Sequence, residues 1–203
     1  MSRPETKASS YGSDSSGPAH EGALSANGRR FAILAARFND FVVDKLTDGA
    51  RDALRRSGAA DEDVELFRCP GAMELPGLAR RVADSGRFDG IVCLGAVIRG
   101  ATPHFDLVAG EAARGIGALA AEGKLAVAFG VLACDTIEQA LERAGTKAGN
   151  RGFDAAMVAV EMADLYARMA REAAAATPVV SVAPVADVGD GADVATDLPR
   201  RRK

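Results

Sequence analysis

The sequence predicts a three-layer α/β/α sandwich around a four-stranded parallel sheet. Four short segments are almost continuously apolar, and each is followed by a segment whose apolar residues recur at helical spacing. Strands that are apolar throughout are buried on both faces, and the helices that connect parallel strands cover those faces. No repeat of fixed period runs through the 203 residues, so a solenoid is not expected.

Strands and helices alternate regularly between residues 31 and 170. One helix is predicted after each of the first three strands; after the first strand, Val42, Leu46 and Leu54 recur at helical spacing. Two helices follow the fourth strand, a short one through Ile137 and Leu141 and a longer one over about 153–170. The predicted strands are 31–36, 64–67, 90–94 and 125–129.

Both ends of the chain differ in composition from this middle part. Residues 1–28 are rich in Ser, Gly and charge, and we predict a disordered arm because they cannot bury enough apolar surface to offset the entropy of ordering. An Ala run followed by scattered Pro and Asp predicts a disordered tail over 171–203, whose basic end could meet an acidic partner. One folded domain is therefore expected over 29–170.

Charge and cysteine content narrow the function classes. A net charge of −3 gives no reason to expect nucleic-acid or anionic-membrane binding, so small molecules or proteins are the expected partners. Three widely spaced cysteines suit buried thiols in a reducing compartment rather than disulfides or a zinc site. The first residues lack the apolar core of a secretory signal, and the expected location is the cytoplasm.

Ligands of an open parallel sheet bind beyond the carboxyl ends of the strands, where loops meet helix N-termini. The third of the four loops at this edge is the richest in candidate residues. Thr102 suits a helix N-cap, Pro103 the first helical position and Asp106 the first turn, so a helix is predicted to begin here with N–H groups that can hold a phosphate. The four predicted loops are 36–40, 69–76, 95–104 and 129–134.

His104 is the candidate proton-transfer residue. It lies on the first turn of this predicted helix, and the other histidine, His20, falls in the predicted arm. A lone histidine is more often a capping or surface residue, but a place beside an anion site favours proton transfer near neutral pH. Arg143 and Lys147 form a second candidate anion site, although the sequence leaves open that both are only solvated.

Six motifs stand in consistent order over about residues 31–165. They are Arg37-Phe-Asn-Asp40, Pro70-Gly-Ala-Met-Glu-Leu-Pro76, Gly95-Ala-Val-Ile-Arg-Gly-Ala-Thr-Pro-His104, Ala112-Ala-Arg-Gly-Ile116, Phe129-Gly-Val131 and Ile137-Glu-Gln-Ala-Leu-Glu-Arg-Ala-Gly-Thr-Lys-Ala-Gly-Asn150. Together they resemble the 6,7-dimethyl-8-ribityllumazine synthase family. The resemblance implies a flavodoxin-like fold and the penultimate step of riboflavin biosynthesis. In that step 5-amino-6-(D-ribitylamino)uracil condenses with 3,4-dihydroxy-2-butanone 4-phosphate, without a metal or organic cofactor.

The same resemblance implies a role for each matching residue. Phe38 would stack on the pyrimidine ring, His104 would donate and accept protons, and Phe129 would come from a neighbouring subunit. Met73 stands where the family usually has Phe, so it either fills the same space at the ligand or serves only packing. The expected lining of the ribityl and uracil site is Ala72, Met73, Glu74, Ala96, Val97 and Ile98, and the expected phosphate contacts are Ala101, Thr102 and Arg143.

The resemblance also implies an assembly. The family builds homo-pentamers with active sites at subunit junctions, and some members build a 60-subunit shell from them. Residues 145–152 lack the insertion of many pentamer-only members, so a shell is expected.

Other functions have less support in the sequence. A weakly catalytic, shell-forming or regulatory paralogue is the main alternative, against which the intact Phe38, Glu74, His104 and Arg143 argue. A flavin carrier is disfavoured because residues 37–40 contain no phosphate-binding Gly or Ser/Thr cluster, and a phospho-receiver would need an acidic cluster.

Overall fold

The fold is built around four parallel strands. The computed structural model describes residues 19–176, and its main sheet consists of β1 (Phe31–Ala36), β2 (Val64–Cys69), β3 (Gly90–Ile98) and β4 (Ala126–Cys134). The strand order is β2-β1-β3-β4; β1 pairs in parallel with β2 and β3, and β3 pairs in parallel with β4. The predicted four-stranded parallel sheet is thus confirmed.

Helices cover both faces of this sheet. They are α1 (Asp40–Arg56), α2 (Leu75–Asp84), α3 (His104–Ala121), α4 (Ile137–Glu142) and α5 (Arg151–Ala176). Helices α1 and α5 pack on one face and α2 and α3 on the other, which confirms the three-layer, flavodoxin-like α/β/α sandwich. Short strands β5 (Ala144–Thr146) and β6 (Gly149–Asn150) form a hairpin between α4 and α5. Within residues 19–176, none of the helices combines the length and the apolar content that crossing a membrane requires.

Two apolar cores hold the layers together, one on each face of the sheet. Successive residues of β1 alternate between them: Ile33 belongs to the core with α1 and α5, and Leu34 belongs to the core with α2 and α3. All six residues of β1 are buried. Helices α1 and α5 approach so closely that a Cβ at Gly152 would lie 1.9 Å from the Leu46 carbonyl oxygen, so only glycine fits there.

Two segments predicted as loops are strand in the structure. Residues 95–98 continue β3 and residues 129–134 continue β4, and the two strands pair with each other as far as Ile98 and Cys134. The prediction is wrong because it began a loop at Gly95, whereas pairing with Val131 of β4 continues the strand through this residue. A Cβ at Gly95 would instead make ordinary contact with surrounding apolar side chains, as expected for a position inside a packed sheet.

Residues 19–28, predicted to belong to a disordered arm, are attached to the domain. Ala26 is fully buried, and its N–H donates to the Ser57 carbonyl at 2.8 Å. The Ala23 N–H donates to Asp164 Oδ2 at 2.8 Å, and the Arg29 guanidinium donates to Asp164 Oδ1 at 2.6 Å. The prediction is wrong for this segment because composition does not reveal polar contacts with a helix that is distant in sequence.

The folded domain also extends beyond its predicted C-terminal boundary at residue 170. Helix α5 extends to Ala176, so the tail predicted over 171–203 is helical at 171–176. The alanines at 173–176 explain the extension, because alanine has the highest helix propensity. The rest of the predicted arm and tail, residues 1–18 and 177–203, lies outside the described residues.

Asp164 ties the segment 19–29 to α5, and its ionisation makes this contact dependent on pH. The Ala23 N–H, with the Arg29 guanidinium, holds the pKa of Asp164 below its ordinary value. A carboxyl with a lowered pKa in the folded state stabilises the fold fully above its unfolded pKa, which is about 3.9 for Asp. That stabilisation is lost as the pH falls through the lower, folded-state pKa.

We therefore predict that Asp164→Asn lowers the thermal unfolding midpoint at pH 7, and that the difference from wild type begins to shrink only below about pH 4, as the pH falls toward the folded-state pKa of Asp164. The measurement is thermal unfolding from pH 7 to pH 3 at one protein concentration. Asp154→Asn is the matched control, because Asp154 lies on the same helix in an exposed ion pair with Arg151. Equal midpoints for the two variants at pH 7 would contradict the role of Asp164.

Candidate active site

A groove of about 920 Å³ opens at the carboxyl ends of β1, β2 and β3. Its lining combines the loops after β1 and β2, the end of β3 and the first three turns of α3. This is the edge of the sheet where the sequence predicts a ligand site. The predicted site residues that line the groove are Phe38, Ala72, Met73, Glu74, Ala96, Val97, Ile98, Thr102 and His104.

The loop after β1 presents Phe38 to this groove. The Phe38 N–H donates to the Pro70 carbonyl at 3.0 Å, while the Phe38 side chain is 72% exposed. Asn39 has a left-handed backbone (φ 60°), and its side-chain Nδ2 donates to the Ala96 carbonyl at 2.8 Å. Polar contacts therefore fix this loop to the loop after β2 and to β3, and the exposed phenyl ring can contact a ligand.

The loop after β2 lines the groove through a single 3₁₀ turn, Ala72–Glu74. Ala72 is buried, whereas Glu74 is exposed and Met73 is 50% exposed. Burial in the core does not explain Met73, since half of its side-chain surface faces solvent at the groove. A flexible thioether in this place can adapt to the outline of a ligand.

The helix that carries His104 begins one residue later than predicted. Pro103, not Thr102, is the N-cap residue of α3, and no side chain caps the helix. Pro103 already has a helical backbone (φ −65°, ψ −3°), and proline fixes this φ. The predicted capping role of Thr102 is therefore wrong. The N-terminus without a side-chain cap meets the groove at Thr102 and His104, both of which are exposed.

Three predicted site residues do not line this groove. Arg143 follows α4 as its C-cap residue and is exposed. Phe129 lies on β4 and is 47% exposed. Ala101 is also exposed, and its neighbours Gly100 and Thr102 line the groove although Ala101 does not. A single chain thus does not bring Arg143 and Phe129 together with His104.

Sequence reasoning missed two charged residues on the groove. Glu111 and Arg114 line it from α3, and their side chains form an ion pair at 2.9 Å. They follow His104 by seven and ten residues, which places all three on one helix face. Helical spacing counted from His104 could therefore have identified them.

The cysteines are poor nucleophiles in this environment. Cys69, Cys93 and Cys134 are free and buried, which confirms the expectation of buried thiols. Burial raises the pKa of all three thiols, and that of Cys93 to about 12, so they stay protonated near neutral pH. Among residues 19–176, no three His, Cys, Asp or Glu side chains are grouped so that they could hold a metal ion.

A second, smaller cavity of about 490 Å³ lies against α1. Its lining includes Asp48, Arg51, Asp52 and Arg55 on that helix, and it contains none of the predicted site residues. Asp52 is already paired with Arg55 and Arg56, at 3.0 and 2.7 Å. The groove at the strand ends is therefore the better candidate for the active site.

Comparison with known proteins decides the family. The family model described as 6,7-dimethyl-8-ribityllumazine synthase matches residues 28–167, which is more than half of the chain. The chain belongs to the 6,7-dimethyl-8-ribityllumazine synthase family. A lumazine synthase of Desulfatibacillum aliphaticivorans is 59% identical over 145 residues, which cover 71% of this chain and 94% of that protein.

Other lumazine synthases are similar to the same extent. The enzyme of Chlorobium phaeobacteroides is 56% identical over 72% of this chain and 94% of its own length. That of an Anaeromyxobacter species is 55% identical over 75% of this chain and 93% of its own length. The chain is accordingly an enzyme, a lumazine-synthase transferase of riboflavin biosynthesis, and the family inferred from the six motifs is confirmed.

Asn39 offers a test of how the groove of this lumazine synthase is held in shape. We predict that Asn39→Ala lowers the free energy of unfolding by about 1–3 kcal/mol, because alanine is strained in the left-handed backbone and cannot donate a hydrogen bond to the Ala96 carbonyl. Asn39→Gly is expected to cost less, since glycine adopts this backbone without strain. Unfolding midpoints compared at one protein concentration check this order. A glycine variant as unstable as the alanine variant would contradict it.

Proposed function

We propose that the groove at the carboxyl ends of β1–β3 binds 5-amino-6-(D-ribitylamino)uracil and 3,4-dihydroxy-2-butanone 4-phosphate and joins them into 6,7-dimethyl-8-ribityllumazine. The observation that supports this most is the meeting, on one groove, of residues from four separate family motifs. Phe38 stacks on the pyrimidine ring, since it is the exposed aromatic ring at the groove mouth. Ala72, Met73, Glu74, Ala96, Val97 and Ile98 line the ribityl and uracil site.

The phosphate of the second substrate binds, on this proposal, at the start of α3. Ala101 and Thr102 contribute the loop, and the first-turn N–H groups of α3, which no side chain caps, contribute donors and the positive end of the helix dipole. Arg143 supplies the cation that neutralises the phosphate. Because Arg143 does not line the groove of its own chain, we propose that it comes from a neighbouring copy together with Phe129.

The chemistry needs positioned substrates and a group that moves protons. The uracil 5-amino group attacks the ketone and water leaves, which gives an imine. Loss of a proton from the adjacent carbon and departure of phosphate give an enol, which tautomerises to a ketone. The ribitylamino nitrogen attacks this ketone, and loss of a second water closes the ring. His104, exposed at the groove beside Thr102, carries the protons in these steps.

We expect His104→Ala to lower kcat by about 10²–10⁴-fold without abolishing turnover. Orientation of two bound substrates contributes more, roughly 7–11 kcal/mol of the barrier, and the variant keeps it. The measurement is lumazine fluorescence after mixing purified protein with both substrates. Loss of all measurable turnover in a correctly assembled variant would contradict this division of roles, and absence of product from folded wild type would overturn the proposed reaction.

Phe129 and Arg143 are exposed and do not line the groove of their own chain, which supports a homo-oligomer. We propose a homo-pentamer in which the groove of one chain faces β4 and α4 of the next. We also propose that pentamers assemble into a 60-subunit shell, because the segment between α4 and α5 contains only the β5–β6 hairpin and lacks the insertion of many pentamer-only members. Light scattering on the native protein, whose chain is 20.9 kDa, measures the assembled mass. A pentamer alone at high concentration in phosphate would contradict the shell, and a monomer would contradict both.

Two remaining predictions belong to the same proposal. We propose a cytoplasmic location, which the three free thiols support because such thiols persist in a reducing compartment. We also propose that the enzyme acts with its small-molecule substrates and copies of itself alone, since the net charge of −3 does not favour nucleic acid.

A further inference from the structure

The first residue after β3, Arg99, is bonded to three neighbouring elements. Its guanidinium donates to both carboxylate oxygens of Asp106 in the first turn of α3, at 3.2 and 3.1 Å. Its Nε donates to Asp135 in the turn between β4 and α4, at 2.7 Å. The guanidinium carbon also lies 4.0 Å from the centre of the Phe105 ring, and the Arg99 N–H donates to the Cys134 carbonyl at 2.9 Å.

Arg99 itself is not part of the groove. Gly100, Thr102 and His104, which follow it, line the groove, but the Arg99 side chain does not. Its bonds hold the two ends of the loop 99–103: one end continues from β3 and the other begins α3 at the turn that contains Asp106. The guanidinium therefore holds this loop without lining the groove itself, although its partners Phe105 and Asp106 do line it.

We propose that Arg99 is the positioning residue of the phosphate site, because it fixes the loop 99–103 and the first turn of α3 against the β4–α4 turn. The inference rests on the proposed phosphate site at the start of α3 and adds a residue that does not touch the ligand. A phosphate held by N–H groups requires those groups to point at one place, so a loop that moves loses affinity for phosphate before it loses the fold.

The exposure of the Arg99 ion pairs indicates that they act locally on the loop and contribute little to the stability of the whole domain. Arg99 is 42% exposed, and its partners Asp106 and Asp135 are 62% and 67% exposed, so each ion pair by itself adds little to global stability. The bidentate hydrogen bond to Asp106 and the stacking on the Phe105 ring nevertheless restrict the orientation of the loop. Loss of Arg99 should therefore change phosphate binding strongly and the unfolding midpoint only slightly.

The test compares Arg99→Gln with a control arginine in a similar setting. Arg80 is 39% exposed and also pairs with two carboxylates, those of Glu122 and Asp84, but it lies on α2, and its partner Glu122 follows the C-terminal end of α3, outside the groove. For Arg99→Gln we expect KM for the dihydroxybutanone phosphate and Kd for inorganic phosphate to rise about tenfold, with KM for the aminouracil little changed. Arg80→Gln should leave all three values unchanged, and Arg99→Lys should lie between wild type and Arg99→Gln.

The aspartate variants separate positioning from charge. If Arg99 acted only by its positive charge, Asp135→Asn would tighten phosphate binding, because a negative charge near the site is removed. Positioning through Asp135 predicts weaker phosphate binding in Asp135→Asn, and less than additive effects when it is combined with Arg99→Gln. This variant also provides the test if Arg99→Gln does not fold.

Every outcome decides the inference. Weaker phosphate binding in both Arg99→Gln and Asp135→Asn, at near-native unfolding midpoints, supports it. Phosphate binding in Arg99→Gln equal to that in Arg80→Gln, or unchanged or tighter binding in Asp135→Asn, overturns it. A wild-type protein that forms no lumazine would instead overturn the proposed reaction, so the two failures are distinguishable.

Discussion

The parallel pairing of β1 with both of its neighbours is the interaction on which the site depends. Ala36 pairs with Cys69 at the end of β2, and Ala35 pairs with Leu94 of β3, so all three strands leave the sheet at one edge. This pairing requires both faces of the sheet to be buried, which the helix layers α1 with α5 and α2 with α3 provide. Residues that are far apart in sequence, from Phe38 to His104, therefore reach one groove.

Only part of the proposed site lies in one chain. Strand β4 forms the edge of the sheet, and Phe129 on it remains half exposed although most of that strand is buried. Arg143 follows from the same side of the fold, beyond α4. An exposed ring and an exposed guanidinium next to an edge strand suit contact with another copy of the chain. On this account, the residues that hold the pyrimidine and the residues that complete the phosphate site come from different subunits, and assembly is a condition of activity.

Much of the sheet and of the groove lining could be predicted from sequence, because apolar strand segments and family motifs are local signals. The apolar runs identified all four main strands, and the loop motifs identified nine of the residues that line the groove. Errors arose where tertiary contacts decide. Gly95 continues a strand because β4 pairs with it, and residues 19–28 are attached through Asp164, 141 residues beyond Ala23. The N-cap of α3 is a local exception, because the helical backbone of Pro103 makes it the N-cap in place of Thr102. Arg99 was not singled out, because its importance follows from side-chain partners in α3 and in the β4–α4 turn, which are distant from one another in sequence.

The most direct test of the account is complementation between two damaged chains. His104→Ala chains and Arg143→Gln chains, co-expressed with different tags and purified as mixed assemblies, are compared with each variant alone by lumazine formation per chain. If His104 and Arg143 of one site come from different subunits, about a quarter of the sites in an equal mixture contain both native residues, and activity rises well above that of either variant. Activity no higher than the mean of the two variants would show that the site lies within one chain, and would contradict the account.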